Sequence, residues 1–325
     1  MTDIFSLAAT NLMSPIILAF ILGLGAALAR SDLSIPEAAA KMMSIYLLFA
    51  IGFKGGASVA DHGLDGGLII SLLAGVVLSF GLPLVAFAML RVMTGFSRID
   101  AAAVAAHYGS ISIVTFVAAT SVIEGRGIAA EGYMVAVAAA MEAPAILSAL
   151  WLVARGSPGG RSEPGLMREI LLNGSIVLLI GSFVIGGLTG AEGMARIESF
   201  IVTPFQGVLC LFLLDMGLVA GRGLRDQRGA LGIGAVAFGI LMPLVGAVTG
   251  LVMGVAIGLS TGGLALLMVL SASASYIAVP AARRVALPEA NPSIYLTLSL
   301  GITFPFNLTL GIPIYIAVAS AVTGG

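Results

Sequence analysis

Apolar stretches of about 20 residues recur from one end of this chain to the other. A helix needs about that length to cross the hydrocarbon core of a bilayer. Of the 325 residues, 59% are hydrophobic and only 10% are charged, whereas a soluble domain carries about 25% charged residues. The chain has too little polar surface to stay in water, so the sequence predicts an all-α polytopic membrane protein.

We predict ten membrane-spanning helices, of which the fourth and the ninth are interrupted. In chain order they occupy residues 13–29, 35–53, 67–90, 99–123, 131–154, 168–189, 200–221, 230–258, 263–287 and 292–322. A loop rich in Pro, Gly and Ser, 156–167, separates the first five spans from the last five. The chain is therefore expected to consist of two five-helix units, 1–155 and 168–325.

Basic residues fall mainly on one side of the predicted membrane. Eleven of the 15 lysines and arginines lie in the odd-numbered loops, namely Arg30, Arg91, Arg98, Arg155, Arg161, Arg168, Arg222, Arg225, Arg228, Arg283 and Arg284. The positive-inside rule places these loops in the cytoplasm and both termini outside. No basic region precedes the first apolar run, so we expect no cleavable signal peptide.

The two units resemble each other in sequence. LLFAIGFKGG (47–56) parallels FLLDMGLVAG (212–221) at an offset of 165, and the same offset places Ser110 on Ser275. Five spans per unit would give the two copies opposite orientations. Inverted repeats of this kind are typical of transporters, whose substrate site lies between the repeats near the middle of the membrane. Chance similarity between Gly- and Leu-rich helices is the alternative explanation.

Both interrupted spans carry small polar residues where a plain span would carry Leu and Val. The stretches are AAHYGSISIVT (105–115) and SASASYIAVP (271–280). A helix break frees backbone N–H and C=O groups, which lipid cannot satisfy, so it must line a protein cavity. Freed N–H groups suit a small anion, and freed carbonyls with hydroxyls suit sodium. The alternative is that the small residues only allow close helix packing.

Several motifs resemble the sodium-dependent bicarbonate permeases of cyanobacteria and other bacteria. In the second half these are Ser271, Ser273, Ser275, Pro280, Arg284, Pro288, Asn291-Pro292-Ser293 and Tyr295. In the first half they are Ile51-Gly52, Gly55-Gly56, Gly109, Ser112, Thr115 and Met141-Glu142-Ala143-Pro144. The resemblance spans nearly the whole chain.

This resemblance implies ten helices in inverted repeats, a homotrimer, and a location in the bacterial inner membrane. It implies sodium-coupled import of bicarbonate by an elevator-like movement of a core (spans 3–5 and 8–10) against a gate (spans 1, 2, 6 and 7). Some members of the family also bind a PII-like cytoplasmic regulator. The chain departs from the pattern at Tyr276, where an acidic residue is expected, and in the short loop 156–167.

We assign candidate roles to nine residues near the breaks. The expected substrate ligands are Gly109, Ser110, Ser112, Ser273, Ser275 and Tyr276, and the expected ligands of sodium or of a proton are Thr115, Glu142 and Ser271. Glu142 leads the second group because a carboxylate inside a span is costly and functional by default. His107, beside the first break, is a candidate for pH sensing or for a role as a hydrogen-bonded wall residue.

Lys54 and Asp215 are interpreted as a structural ion pair. They lie one helical turn apart on helices that the repeat relates to each other. Opposite charges there could neutralise one another inside the bundle.

Other function classes find little support. A net charge of −1 argues against nucleic acid as a partner. The sequence contains no metal cluster, nucleophile–base set or phosphate-binding loop, so we expect neither an enzyme nor a cofactor beyond sodium as the coupling ion. Two alternatives remain open: a proton-coupled transporter of another small monovalent anion or organic acid, favoured by Tyr276, and a membrane sensor or scaffold that binds an anion without moving it.

Overall fold

A computed structural model describes residues 13–62, 66–154, 172, 174–226, 232–275 and 290–324. Over these residues the chain forms helices and connecting segments, with no β-strand. The first eleven helices are α1 Pro15–Leu28, α2 Glu37–His62, α3 Gly66–Met93, α4 Arg98–His107, α5 Ile113–Gly125, α6 Met134–Ala140, α7 Glu142–Ala154, α8 Gly174–Ile201, α9 Phe205–Asp226, α10 Ile233–Ala256 and α11 Thr261–Ala272.

The last helical stretch, α12 (292–323), changes its winding along its length. Its segments are Pro292–Leu296, Thr297–Thr303, Phe304–Phe306, Asn307–Gly311 and Ile312–Thr323, of which the second and the fourth are π-helical. Short π-helical segments inside α-helices occur frequently at functional sites.

Six described helices are long and apolar enough to cross a membrane: Glu37–Ala60, Gly66–Met93, Val177–Ile201, Phe205–Arg225, Ile233–Ala256 and Ile294–Thr323. Shorter apolar helices are Pro15–Leu28, Ile113–Gly125 and Thr261–Ala272. Large apolar side chains stand exposed on the long helices, for example Leu188 at 82% and Val252 at 65%. In lipid such faces are in their preferred solvent, which agrees with a multi-pass membrane protein.

The fifth predicted span is not continuous. α6 ends at Ala140, a turn follows at Met141, and α7 begins at Glu142. Pro144 has no N–H to donate to the carbonyl of Ala140, and its ring crowds that carbonyl, so a regular helix cannot run through this point. The break places Glu142 in the first turn of a new helix.

Two helix pairs form the closest long contacts, α2 with α8 and α1 with α9. Glycines permit both approaches. A Cβ atom at Gly52 of α2 would collide with Ser182 of α8, and one at Gly217 of α9 would collide with the carbonyl oxygen of Phe20 of α1. Gly52 and Gly217 are the residues that the sequence offset of 165 equates.

Candidate functional site

The first break separates α4 from α5. α4 ends at His107, and the next five residues are not helical. Ser112 then caps α5, because its Oγ accepts a hydrogen bond from the N–H of Thr115 at 3.3 Å. Serine is a favoured cap, since its hydroxyl satisfies an N–H group that has no partner within the helix.

The second break follows α11. The helix ends at Ala272, and Ser273 adopts an extended backbone with φ −88° and ψ 160°. Ser273, Ala274 and Ser275 are all buried, at 3% exposure or less. A buried extended segment must find hydrogen-bond partners outside its own helix.

The two breaks supply those partners to each other. The N–H of Ser275 donates to the carbonyl oxygens of His107 at 2.7 Å and Ser110 at 3.2 Å. The N–H of Ser112 donates to Oγ of Ser273 at 2.9 Å. The structure thus brings together four of the predicted site residues, Ser110, Ser112, Ser273 and Ser275.

His107 adds a side-chain contact to this junction. Its Nδ1 lies 2.5 Å from the carbonyl oxygen of Ser275, and because that oxygen can only accept, Nδ1 carries the hydrogen. The ring stacks on Tyr295 at 4.4 Å between centroids and an angle of 19°. His107 is fully buried and is therefore a hydrogen-bonded wall of the junction, the second of its two sequence-based interpretations.

Hydroxyl groups continue the network on the α5 side. Oγ1 of Thr115 donates to Oγ of Ser112 at 2.9 Å, and Oγ of Ser273 donates to the carbonyl oxygen of Leu270 at 2.9 Å. Thr115 is 1% exposed. Three predicted site residues therefore share one buried hydrogen-bonded group at the start of α5.

Three other predicted site residues carry buried polar atoms with no hydrogen-bond partner among the described residues. They are Oγ of Ser110, Oγ of Ser271 and Oε2 of Glu142. The residues are 1%, 2% and 3% exposed. Leaving such a group unpaired costs about 1–3 kcal/mol, and an unpaired buried group in a native protein needs an explanation, such as an ordered water, a bound ion or a functional role.

Backbone donors are unpaired at the same place. The N–H groups of Ile113 and Val114, in the first turn of α5, have no hydrogen-bond partner in the described part of the chain. They point out of the positive end of the helix dipole, where negative charge is stabilised. The start of α5 therefore offers unpaired donors, which suit a negatively charged group.

Helix α3 connects Glu142 to the first break. Oγ of Ser79 donates to the carbonyl oxygen of Met141, the residue before Glu142. One turn further along α3, Pro83 packs against Gly109, where a Cβ atom would collide with the proline ring. Gly109 is thus required for close packing at the junction, whatever else it contacts.

Two residues of α12 complete the junction and were missed by the sequence analysis. Nδ2 of Asn307 donates to the carbonyl oxygen of Ala272 at 2.8 Å, and Oδ1 of Asn307 accepts from the hydroxyl of Tyr315 at 2.9 Å. The break after α11 frees the Ala272 carbonyl from helical pairing, and Asn307 satisfies it. A buried asparagine after ITFPF in an apolar span was the available sequence signal.

A second missed group satisfies a carbonyl that a proline leaves unpaired. Pro243 inside α10 has no N–H for the carbonyl of Gly239, and Oγ1 of Thr303 donates to that oxygen at 2.7 Å. The hydroxyl of Tyr108 lies 2.7 Å from Oγ1 of Thr303. Because the Thr303 hydroxyl donates its hydrogen to Gly239, the hydroxyl of Tyr108 is the donor in the bond between Tyr108 and Thr303.

The predicted ion pair between Lys54 and Asp215 is wrong. Nζ of Lys54 lies 2.7 Å from Oε2 of Glu124 on α5, and 5.4 Å from the ring centroid of Phe205. Asp215 lies on α9 and is 6% exposed. The repeat relates α2 to α9, but these helices take α8 and α1 as their main partners, so Lys54 finds its partner on α5.

Tyr276 lies outside the described residues. So do Pro280, Arg283, Arg284 and Pro288, and the loop 156–167. Among the described residues no group of three or more His, Cys, Asp and Glu side chains could hold a metal ion.

The sequence model of the Na+-dependent bicarbonate transporter superfamily matches residues 15–320, nearly the whole chain. No individual curated protein matches the chain.

Proposed function

The chain belongs to the Na+-dependent bicarbonate transporter superfamily, and we propose that it is a secondary active transporter that imports a small anion, bicarbonate first, driven by sodium. One observation carries the proposal. Two helix breaks meet in a buried junction, where the hydroxyls of Ser110 and Ser271 and two backbone N–H groups have no partner in the described part of the chain, and Oε2 of Glu142, on a helix linked to the first break through α3, has none either. These groups together suit an anion and a cation bound side by side.

The anion would lie at the start of α5. The N–H groups of Ile113 and Val114 and the hydroxyl of Ser110 would donate to it, with Ser112, Ser273 and Ser275 around them. Gly109 and Tyr276 belong to the same proposed group. Bicarbonate can accept several hydrogen bonds at once, and the helix dipole favours its charge.

The cation would lie beside the anion. Glu142 would supply the carboxylate, and the hydroxyls of Thr115 and Ser271 would supply neutral oxygen ligands. Unwound backbone and half-helix ends coordinate sodium in transporters built from broken helices. A sodium ion here would also compensate the Glu142 charge, which is costly when buried alone.

The proposed architecture is ten spans in two inverted repeats with an elevator-like movement. The equivalent glycines Gly52 and Gly217 support it, because each permits the close approach of a first-half helix to a second-half helix. Helices α3–α7, α10, α11 and α12 would form the moving core and α1, α2, α8 and α9 the gate. A homotrimer, a PII-like cytoplasmic regulator, the inner membrane and external termini are inferred from the family resemblance and the charge distribution.

A second candidate is proton-coupled transport of another small monovalent anion or organic acid. Tyr276 favours it, because this residue stands where an acidic one is expected. In that case Glu142 would carry the proton. A sensor or scaffold would bind the anion at the same junction but would show no gradient-dependent uptake.

The test is uptake of labelled bicarbonate into proteoliposomes with and without an inward sodium gradient. Saturable uptake that requires sodium supports the proposal. Uptake that follows a proton gradient in place of sodium supports the second candidate, and folded protein that binds bicarbonate without uptake supports a sensor.

A further inference from the structure

A pocket of about 220 Å³ lies between α2 of the proposed gate and α5 of the proposed core. Its lining includes Lys54 and Ser58 of α2, Thr120 and Glu124 of α5, Glu131, and Leu266 of α11. A cavity of this size is smaller than a typical ligand site of 300–1,000 Å³ and suits a small ion with part of its hydration shell.

The pocket follows one face of α5 toward the junction. Phe116, Thr120 and Glu124 all line it, and residues four apart stand on the same side of a helix. Eight residues of helix correspond to about 12 Å. Phe116 is one turn from Ser112, so the inner end of the pocket approaches the first break.

Lys54 and Glu124 stand at the outer end. Their side chains are 25% and 49% exposed, and Nζ of Lys54 contacts both carboxylate oxygens of Glu124, at 2.8 and 2.7 Å. An ion pair in contact with water is weakly held, because water and ions compete for both partners. A dissolved anion can therefore compete with Glu124 for the ammonium group.

Lys54 carries the one positive charge among the described residues that line the pocket. Glu131, the other carboxylate there, is occupied, since its two oxygens accept from N and Oγ of Ser260 at 2.7 and 2.9 Å. With Glu124 and Glu131 the lining has a net charge of −1, so an anion would be held there by direct contact with the ammonium group and not by the net field of the pocket.

We propose that Lys54 is an access site for the transported anion, which displaces the carboxylate of Glu124 and then passes along the pocket to the junction. This inference rests on the proposed function. Lys54 would determine how readily a small anion is captured from solution, whereas the residues of the junction would bind the anion during its transport.

Kinetics of bicarbonate uptake test the assignment. Lys54→Gln should raise KM about fivefold, the effect of one unit charge in contact at about 4 Å in water, with kcat changed less than about twofold. Glu124→Gln removes the competing carboxylate and should lower KM. Arg126→Gln, which removes a charge from a residue outside the pocket lining, is the matched control and should leave KM unchanged.

A latch between gate and core is the competing explanation of the same ion pair. If the pair served only to hold α2 against α5, Lys54→Gln and Glu124→Gln would break the same contact. The two variants would then change KM in the same direction as each other, and likewise kcat. The exchanged pair, Lys54→Glu with Glu124→Lys, would then restore wild-type kinetics. That pattern, or an unchanged KM in Lys54→Gln, would overturn the proposal.

A second measurement does not depend on transport. In a Cys210→Ala, Ser58→Cys variant, the new thiol lies one turn along α2 from Lys54. The rates of an anionic and a cationic thiosulfonate reagent at this thiol, each divided by its rate with a free thiol in solution, give the charge preference of the pocket. Adding Lys54→Gln should lower the ratio of the two rates about tenfold, since each rate changes about threefold in opposite directions.

These two readouts separate the inference from the proposed function. A preserved reagent preference in the Lys54→Gln background overturns the access site even if sodium-driven uptake is found. A lost preference supports the site even if the transported anion is not bicarbonate.

Discussion

Replacing Thr303 with Val removes the hydroxyl with almost no change of shape. This substitution therefore tests whether Thr303 compensates for the N–H that Pro243 does not supply to Gly239. In Thr303→Val the carbonyl of Gly239 and the hydroxyl of Tyr108 each lose a partner. Both groups lie in buried residues, so water cannot replace Thr303. The variant should therefore be less stable than the wild type.

The magnitude follows from these two bonds. Hydrogen bonds between membrane helices contribute about 0.6 kcal/mol each on average, which gives a lower value of about 1 kcal/mol. A carbonyl left buried without a donor adds a cost within about 1–3 kcal/mol. We expect Thr303→Val to lower the free energy of unfolding by about 1–3 kcal/mol, and Tyr108→Phe, which leaves Gly239 paired, to lower it less.

The assay is equilibrium unfolding in mixed micelles, with Pro243→Ala as the second arm of a double-mutant cycle. Alanine at position 243 restores an N–H for Gly239. Pro243→Ala should therefore raise the free energy of unfolding by about 1 kcal/mol more in the Thr303→Val background than in the wild type. Thr303→Ser, which keeps the hydroxyl, is the control. Equal effects of Pro243→Ala in both backgrounds would refute the reasoning.

Three further predictions concern the site and the helix contacts. Glu142→Gln should abolish the sodium dependence of uptake while the protein still elutes as the wild type does in size-exclusion chromatography; unchanged sodium dependence would remove Glu142 from the site. His107→Asn should keep KM within about threefold because its amide can donate to Ser275 as Nδ1 does, whereas His107→Gln should raise KM more; equal losses in both variants would contradict this positioning role. Gly217→Ala should lower the free energy of unfolding by about 1–3 kcal/mol through overpacking, whereas Gly207→Ala, which has open space at its Cβ, should not; equal stability of the two variants would contradict the contact.

The serine-rich breaks could be predicted because their signal is local. Ser110, Ser112, Ser273 and Ser275 stand at depths where a plain span carries Leu or Val, and hydroxyls there cost free energy unless they have a use. The repeat offset also places Ser110 on Ser275, and the structure joins these two residues through a backbone hydrogen bond.

The partner of Lys54 could not be predicted in the same way. A repeat tells which residues occupy equivalent positions, but it does not tell which helices touch. Lys54 and Asp215 lie on equivalent helices, yet each of these helices packs mainly on another one. Thr303 and Asn307 were missed for a related reason: their roles depend on carbonyls of Gly239 and Ala272, which are distant in sequence.

Both helix-end carbonyls that the breaks free are paired within the junction, whereas two N–H groups at the start of α5 have no partner among the residues that the structure describes. On the first side, the start of α5 keeps N–H groups without partners at Ile113 and Val114. On the second side, the carbonyl of Ala272 is already paired with Asn307. The carbonyl of His107, the residue that the offset of 165 equates with Ala272, is likewise paired, with the N–H of Ser275. The donors at the start of α5 are therefore what the described part of the junction offers an anion. In the proposed function, Oε2 of Glu142, which has no partner among the described residues, would supply the negative charge that a bound cation requires.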